Sequence, residues 1–274
     1  MERIGECGAL VCSLLLVVLI GCVATRPVGD LAGRDTYLCF AEVNGRLHPF
    51  RVYFPHDYEF VEDKQSPSFR PFPLLILCHS VGLDENAYFQ WKGNEDRIQT
   101  IAEERGYIVA CPAAPDRSWH NYPGEKDREV LLRQGGICKP ESVDIIMEVL
   151  REMAKHYWID DDRVYLAGAS SGAIATYETA SRNPEGFAAV AGVCGGFTDD
   201  LLQGLSKVPV LMFNAQKDTS FPIDIIRWQK EKLEVAGGTV VLHEVPGGHG
   251  SYRNLESYEV LFDFFDQHKR KSGR

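Results

Sequence analysis

Residues 159–172 read I-D-D-D-R-V-Y-L-A-G-A-S-S-G, and this run constrains the fold more than any other part of the chain. A short β-type segment through Val164 and Tyr165 ends in G-x-S-x-G. Ala173 to Ala180, which follows, suits a helix. A serine between glycines at a strand-to-helix junction is the sequence form of a nucleophile elbow, a tight turn that lifts the hydroxyl out of the backbone. Positions flanking such a turn have almost no room for a Cβ, and Gly168 and Gly172 stand there.

The rest of the chain supplies a sheet for that turn. Tyr37–Phe54 reads as two strands joined at Asn44-Gly45, a strong hairpin signal. Leu74–Cys78 is a continuous apolar run, as in a strand buried on both faces. Ile98, Ile101 and Ala102 sit at helical spacing before Gly106, and Tyr107–Ala110 is the next buried strand. Residues 112–141 show no periodicity, and a loop this long in a compact domain is usually functional. The spacing of Val143, Ile146, Met147, Leu150, Met153 and Tyr157 predicts a helix over 143–157. Strands at 187–193, 208–213 and 239–245 then alternate with helices at 223–236 and 255–268. Alternating strands and helices imply an α/β fold: a mainly parallel twisted sheet with helices on both faces and the antiparallel N-terminal hairpin at one edge. A single domain over 37–270 is expected, after a signal over 1–21 and a linker over 22–36.

The 274 residues carry a formal net charge of -10, so a nucleic-acid partner is not expected. Ala9 to Ile20 is almost wholly apolar behind Arg3, the length of a signal h-region and short for a membrane span. It ends Leu19-Ile20-Gly21-Cys22, which resembles a bacterial lipobox and implies lipidation of Cys22. Ordinary cleavage near Ala24 and an uncleaved anchor stand as alternatives, and each places the domain outside the cytoplasm. A lipid on Cys22 is then the expected membrane contact. Cys39, Cys78, Cys111, Cys138 and Cys194 follow it, an odd number; a Cys111–Cys138 bridge is one pairing an exporting compartment permits. No cysteine or histidine spacing suggests a metal site, and no cofactor is expected.

Ser170 is the candidate nucleophile, and a serine hydroxyl needs a base within hydrogen-bond reach. His249, in the loop Pro246-Gly247-Gly248-His249-Gly250, can shuttle its proton. Asp218, past the 208–213 strand, can accept the other imidazole N–H. Each has a plainer reading: a turn serine, a surface-loop histidine, a turn-capping aspartate. His243 and Asp224 are the rivals, one inside a strand, the other in a first helical turn. Trp119, His120 and Tyr122 are candidates for lining the substrate side, with a packed surface loop as the equal alternative.

The runs C-H-S-V-G-L-D-E-N-A-Y-F-Q-W, I-A-E-E-R-G-Y-I-V-A-C-P, I-D-D-D-R-V-Y-L-A-G-A-S-S-G, F-A-A-V-A-G-V-C-G-G-F and V-P-G-G-H together resemble exported α/β-hydrolases. The resemblance is to the polyhydroxybutyrate-depolymerase-like, feruloyl/acetylxylan-esterase and prolyl-oligopeptidase-like group, over most of residues 70–265. It implies an α/β-hydrolase fold and a serine esterase with Ser170, Asp218 and His249 as triad. It also implies an oxyanion hole from the Val81 and Ser171 backbone N–H groups. On this reading the Ser171 hydroxyl has no expected part, and His79 bonds loop backbone. Three positions depart from the group's pattern: Ser80 for a glycine, Ala173 for a second elbow glycine, and Asn214-Ala215 where His-Gly is usual. The expected substrate is a small-molecule or polymer ester; a serine peptidase and a non-catalytic binding module are the alternatives.

Overall fold

The computed structural model describes residues 36–60, 69–89, 97–121, 137–251 and 255–270. The signal, Cys22 and Tyr122 lie outside the described residues. Eight strands form one sheet: β1 (Thr36–Val43), β2 (Arg46–Tyr53), β3 (Phe72–Cys78), β4 (Ile108–Pro112), β7 (Ile159–Ala169), β8 (Ala189–Val193), β9 (Val210–Ala215) and β10 (Val240–Val245). Their spatial order is β1-β2-β4-β3-β7-β8-β9-β10. β1 and β2 are antiparallel, β2 meets β4 antiparallel, and every later pairing is parallel. The hairpin turns through Asn44 (φ 52°) and Gly45 (φ 73°), the two left-handed residues that a tight right-twisted hairpin requires. Two further strands, β5 (His120–Asn121) and β6 (Ile137–Cys138), make a separate antiparallel ribbon inside the stretch without periodicity.

Alternation along β3 sends Leu74, Ile76 and Cys78 to one face and Leu75 and Leu77 to the other, and all seven residues of the strand are buried. On the first face lie α2 (Pro140–His156), α3 (Ser171–Arg182) and α5 (Ile223–Val235). On the second lie α1 (Arg97–Arg105) and α6 (Leu255–Asp266), where Phe262 meets Tyr107 edge-on at 4.9 Å. A short helix α4 (Leu202–Leu205) follows β8. α2 starts three residues before its predicted boundary because Pro140 takes its first turn, where a missing N–H costs nothing. Its deepest stripe is Val143, Ile146, Val149 and Met153 with Ile145 beside it; Met147 and Leu150 are only partly buried. α3 is buried on every side from Ser171 to Ala180, as a helix wedged between a sheet and neighbouring helices must be.

Cys111 and Cys138 sit in the clusters on opposite faces of the sheet, and both are free thiols. Burial raises the thiol pKa of Cys39 to about 11 and those of Cys138 and Cys194 to about 12, and pushes Cys78 and Cys111 well above the ordinary value. Thiolate is the reactive form. Iodoacetamide at pH 8 is therefore expected to leave these five cysteines unmodified in the native protein and to alkylate them after denaturation, as intact and peptide mass spectrometry would read. Among the described residues no helix is long and apolar enough to cross a membrane.

Candidate active site

β7 ends at Ala169 and α3 begins at Ser171, so Ser170 alone makes the turn. Its backbone sits at φ 55°, ψ -113°, a conformation that costs about 1–3 kcal/mol for an L-residue. The surroundings enforce it. A Cβ on Gly168 would lie 2.3 Å from the Gly172 carbonyl oxygen, and one on Gly172 would lie 2.2 Å from that of Cys78. The Ser170 N–H donates to Val193 O at 2.8 Å, which ties the turn to the end of β8.

The parallel sheet brings the three sequence candidates to one edge, past the carboxyl ends of β7, β9 and β10. His249 Nε2 lies 2.9 Å from Ser170 Oγ, and His249 Nδ1 lies 2.8 Å from Asp218 Oδ2. The other carboxylate oxygen, Oδ1, accepts the Ser220 N–H at 2.8 Å and the Phe221 N–H at 2.9 Å. Burial opposes the charge on Asp218, but the hydrogen bonds from His249, Phe221 and Ser220 outweigh it and hold the carboxyl below the usual carboxylate range. The Asp218 side chain is wholly buried, whereas His249 remains partly open to solvent. The rivals are elsewhere engaged: His243 stacks on Phe213 at 5.1 Å, and Asp224 pairs with Arg227 at 3.0 Å.

Apolar residues at the strand ends form the floor: Ala169, Val193, Phe213, Ala215 and Val245, with Cys194 among them. Two contacts there had no sequence signal. Phe221 lies parallel to the His249 ring, 24° between planes and 6.0 Å between centroids. Cys194 places its sulfur within 4.8 Å of the nearest Asp218 and His249 ligand atoms, at a left-handed φ of 49°. Asn214, one of the departing positions, is buried in β9 and donates its amide to Phe221 O at 2.9 Å, which secures the loop that carries Asp218.

The loop after β3 faces the elbow. His79 is fully buried: Ala114 N–H donates to its Nε2 at 3.0 Å, so the proton on Nδ1 goes to Ser80 O at 2.8 Å. Burial keeps this ring neutral by lowering its pKa. The Ser80 hydroxyl, in place of a glycine, turns away to Ala169 O at 3.2 Å. Val81 is 56% exposed at the tip of the loop. Trp119, by contrast, is wholly buried, and its indole N–H donates to His79 O at 2.9 Å. His120 is buried too, with Nδ1 2.8 Å from Ser171 Oγ.

A parallel sheet flanked by helices, with a strained serine at its first sharp strand-to-helix turn, defines the class: an α/β-hydrolase fold. The chain belongs to the PHB depolymerase esterase family, whose model matches residues 65–232. It is 24% identical over 159 residues to a bifunctional acetylxylan esterase/xylanase of Neocallimastix patriciarum, over 58% of this chain and 20% of that protein. It is 30% identical over 138 residues to feruloyl esterase B of Neurospora crassa, over 50% of this chain and 43% of that one. The chain thus spans less than half the length of either relative. Among solved structures, a thermostable esterase superposes with a TM-score of 0.67 at 24% identity, covering 86% of this chain and 64% of the other. A fluorophosphonate-binding serine hydrolase of Staphylococcus aureus superposes at 0.63 and 16% identity, covering 84% and 97%.

Proposed function

We propose that the protein is an exported serine hydrolase that cleaves carboxylic esters. The observation that carries this reading is the unbroken line of hydrogen bonds from Ser170 Oγ through His249 to the buried Asp218. Ser170 Oγ attacks the acyl carbon while His249 Nε2 takes its proton. Asp218 stays ionised, keeps the proton on Nδ1 and offsets the imidazolium charge. The Val81 and Ser171 N–H groups receive the oxyanion. Among the described residues neither is donated to another protein atom, whereas the neighbouring Gly82 N–H is taken by Arg117 O at 2.7 Å. Such donors are worth roughly 3 kcal/mol each of transition-state stabilisation. The tetrahedral adduct collapses, the alcohol leaves with the His249 proton, and water deprotonated by His249 then releases the acid from Ser170.

The named relatives support an acyl group of the acetyl or feruloyl kind, carried on a polysaccharide or polyester. Export, with a lipid on Cys22, rests on the apolar run and the Leu19-Ile20-Gly21-Cys22 sequence. A fluorophosphonate probe is expected to label the wild type at Ser170 and to leave Ser170→Ala unlabelled. Turnover of acetyl, butyryl and feruloyl esters is expected to vanish with the label. A folded wild type that neither labels nor turns over any ester would overturn the reading, and turnover of a peptide anilide alone would replace it with a peptidase.

A further inference from the structure

The Ser171 hydroxyl is the unassigned feature of the elbow. It is 1% exposed and points away from Ser170 into the segment that follows β4. Its oxygen accepts the Trp119 backbone N–H at 3.1 Å and lies 2.8 Å from His120 Nδ1. A hydroxyl oxygen can accept twice, so this second contact forms whether the hydroxyl donates to Nδ1 or an Nδ1–H donates to the oxygen, and in either tautomer it ties the Ser171 and His120 side chains together.

The same segment grips the opposite half of the hole. The Trp119 indole N–H holds His79 O, Ala114 N–H holds the His79 ring, and Arg117 O holds Gly82 N–H. Asp116 (φ 50°) and Arg117 (φ 58°) are both left-handed, and this is what turns the Arg117 carbonyl towards Gly82. Behind them the Trp119 carbonyl accepts the Ser142 hydroxyl at 2.9 Å and the Lys139 N–H at 2.9 Å, which anchors the segment to the start of α2. Residues 114–120 thus join two loops that lie about 90 positions apart in the chain.

We propose that the Ser171 hydroxyl is a positioning group. By bonding Trp119 and His120 it fixes the orientation of its own backbone N–H relative to that of Val81, and so sets the geometry of the oxyanion hole. This inference rests on the proposed function, because the two amides matter only if an oxyanion forms there. Direct contacts, such as Ser80 Oγ to Ala169 O, already hold the loops close. The Ser171 bridge adds control of rotation at the first residue of α3. Burial, with a smaller effect of the Lys139 charge, lowers the pKa of His120, which favours a neutral ring beside the Ser171 hydroxyl.

The test is a cycle of Ser171→Ala, His120→Ala and the double variant, with rates normalised to Ser170 sites titrated by fluorophosphonate, so that misfolded protein does not count. Ser171→Ala keeps the backbone N–H and loses both bonds. A displacement of an ångström or less at a catalytic donor costs on the order of 10- to 100-fold. The expected result is a kcat lowered by roughly that factor with KM within about twofold. Affinity for a trifluoromethyl ketone, whose adduct carries the oxyanion, should fall in parallel. His120→Ala should lower kcat less, and the double variant should be no slower than Ser171→Ala, since both remove one bridge. Titrated Ser171→Ala sites with wild-type kcat, or losses that simply multiply in the double variant, would overturn the inference. Absence of titratable sites and turnover in the wild type would instead overturn the proposed function.

Discussion

Asp218→Asn is expected to lower kcat/KM for an ester by about 10,000-fold while leaving KM within a few-fold. The substitution keeps the volume, removes the charge that offsets the imidazolium, and reverses the polarity of a hydrogen bond. Asp218 Oδ1 accepts two backbone N–H groups and Oδ2 accepts His249 Nδ1. An asparagine that offers its oxygen to the Ser220 and Phe221 amides must turn its NH2 towards His249. Nδ1 then has to accept, the ring proton moves to Nε2, and the atom facing Ser170 Oγ is no longer a base. The flipped amide sets donor against donor at the two backbone N–H groups, which a buried site penalises. Steady-state kinetics with titrated sites would check this, and the rate of fluorophosphonate labelling should fall with it. A loss below about tenfold would mean that another group orients His249.

The same substitution has a pH signature in stability. The Asp218 carboxyl is held below the usual carboxylate range in the folded protein. Its contribution is therefore complete above the unfolded value, near 4, and is lost as pH falls through the lower folded value. Denaturant midpoints should separate wild type from Asp218→Asn most at neutral pH and converge in acid.

The elbow was legible in the sequence because its residue pattern is local. Gly168 and Gly172 stand two residues either side of Ser170, so the pattern is visible in the chain even though the backbone that excludes a Cβ at Gly172 is that of Cys78 and His79, far away in sequence. The order of Asp218 and His249 along the chain was informative for a related reason: in a parallel sheet, residues just past successive strands arrive at one edge. Asp224 was separable from Asp218 because it falls in the first turn of α5. The frame around the oxyanion hole was not legible. Residues 113–121 have no period, and their path depends on left-handed backbone at Asp116 and Arg117, residue types that do not announce it. The Ser171 hydroxyl, which on sequence had no expected part, is bonded to a segment about 50 positions away. Trp119 illustrates the same limit: an aromatic in a long loop is as compatible with a substrate wall as with the buried strut that the indole bond to His79 O makes it.

Gly172→Ala is expected to damage both the stability of the fold and the rate at the elbow. The new Cβ would stand 2.2 Å from Cys78 O and 2.8 Å from His79 O. Neither oxygen is free to yield. Cys78 O lies at the end of β3 and accepts the Tyr88 hydroxyl at 3.1 Å, and His79 O accepts the Trp119 indole at 2.9 Å. Relief must come from α3, which has to move off the sheet although it is buried on every side. Overpacking a core costs about 1–3 kcal/mol where side chains can adjust, and here the clash is with backbone on both partners. A loss of at least about 3 kcal/mol is expected, which for a domain of this size lowers Tm by roughly 6–12 °C. Movement of α3 carries Ser170 and the Ser171 N–H with it, so titrated sites should also turn over at least about 100-fold more slowly. Gly186→Ala provides the contrast. Its Cβ would approach nothing nearer than Met147 Cε at 3.8 Å, an ordinary contact, and its stability should stay within about 0.5 kcal/mol of wild type. Calorimetry on the two variants reads the difference directly. A Gly172→Ala protein with wild-type Tm and kcat would mean that the elbow is not packed against β3 by backbone contact, and the steric basis for the strained Ser170 would fall with it.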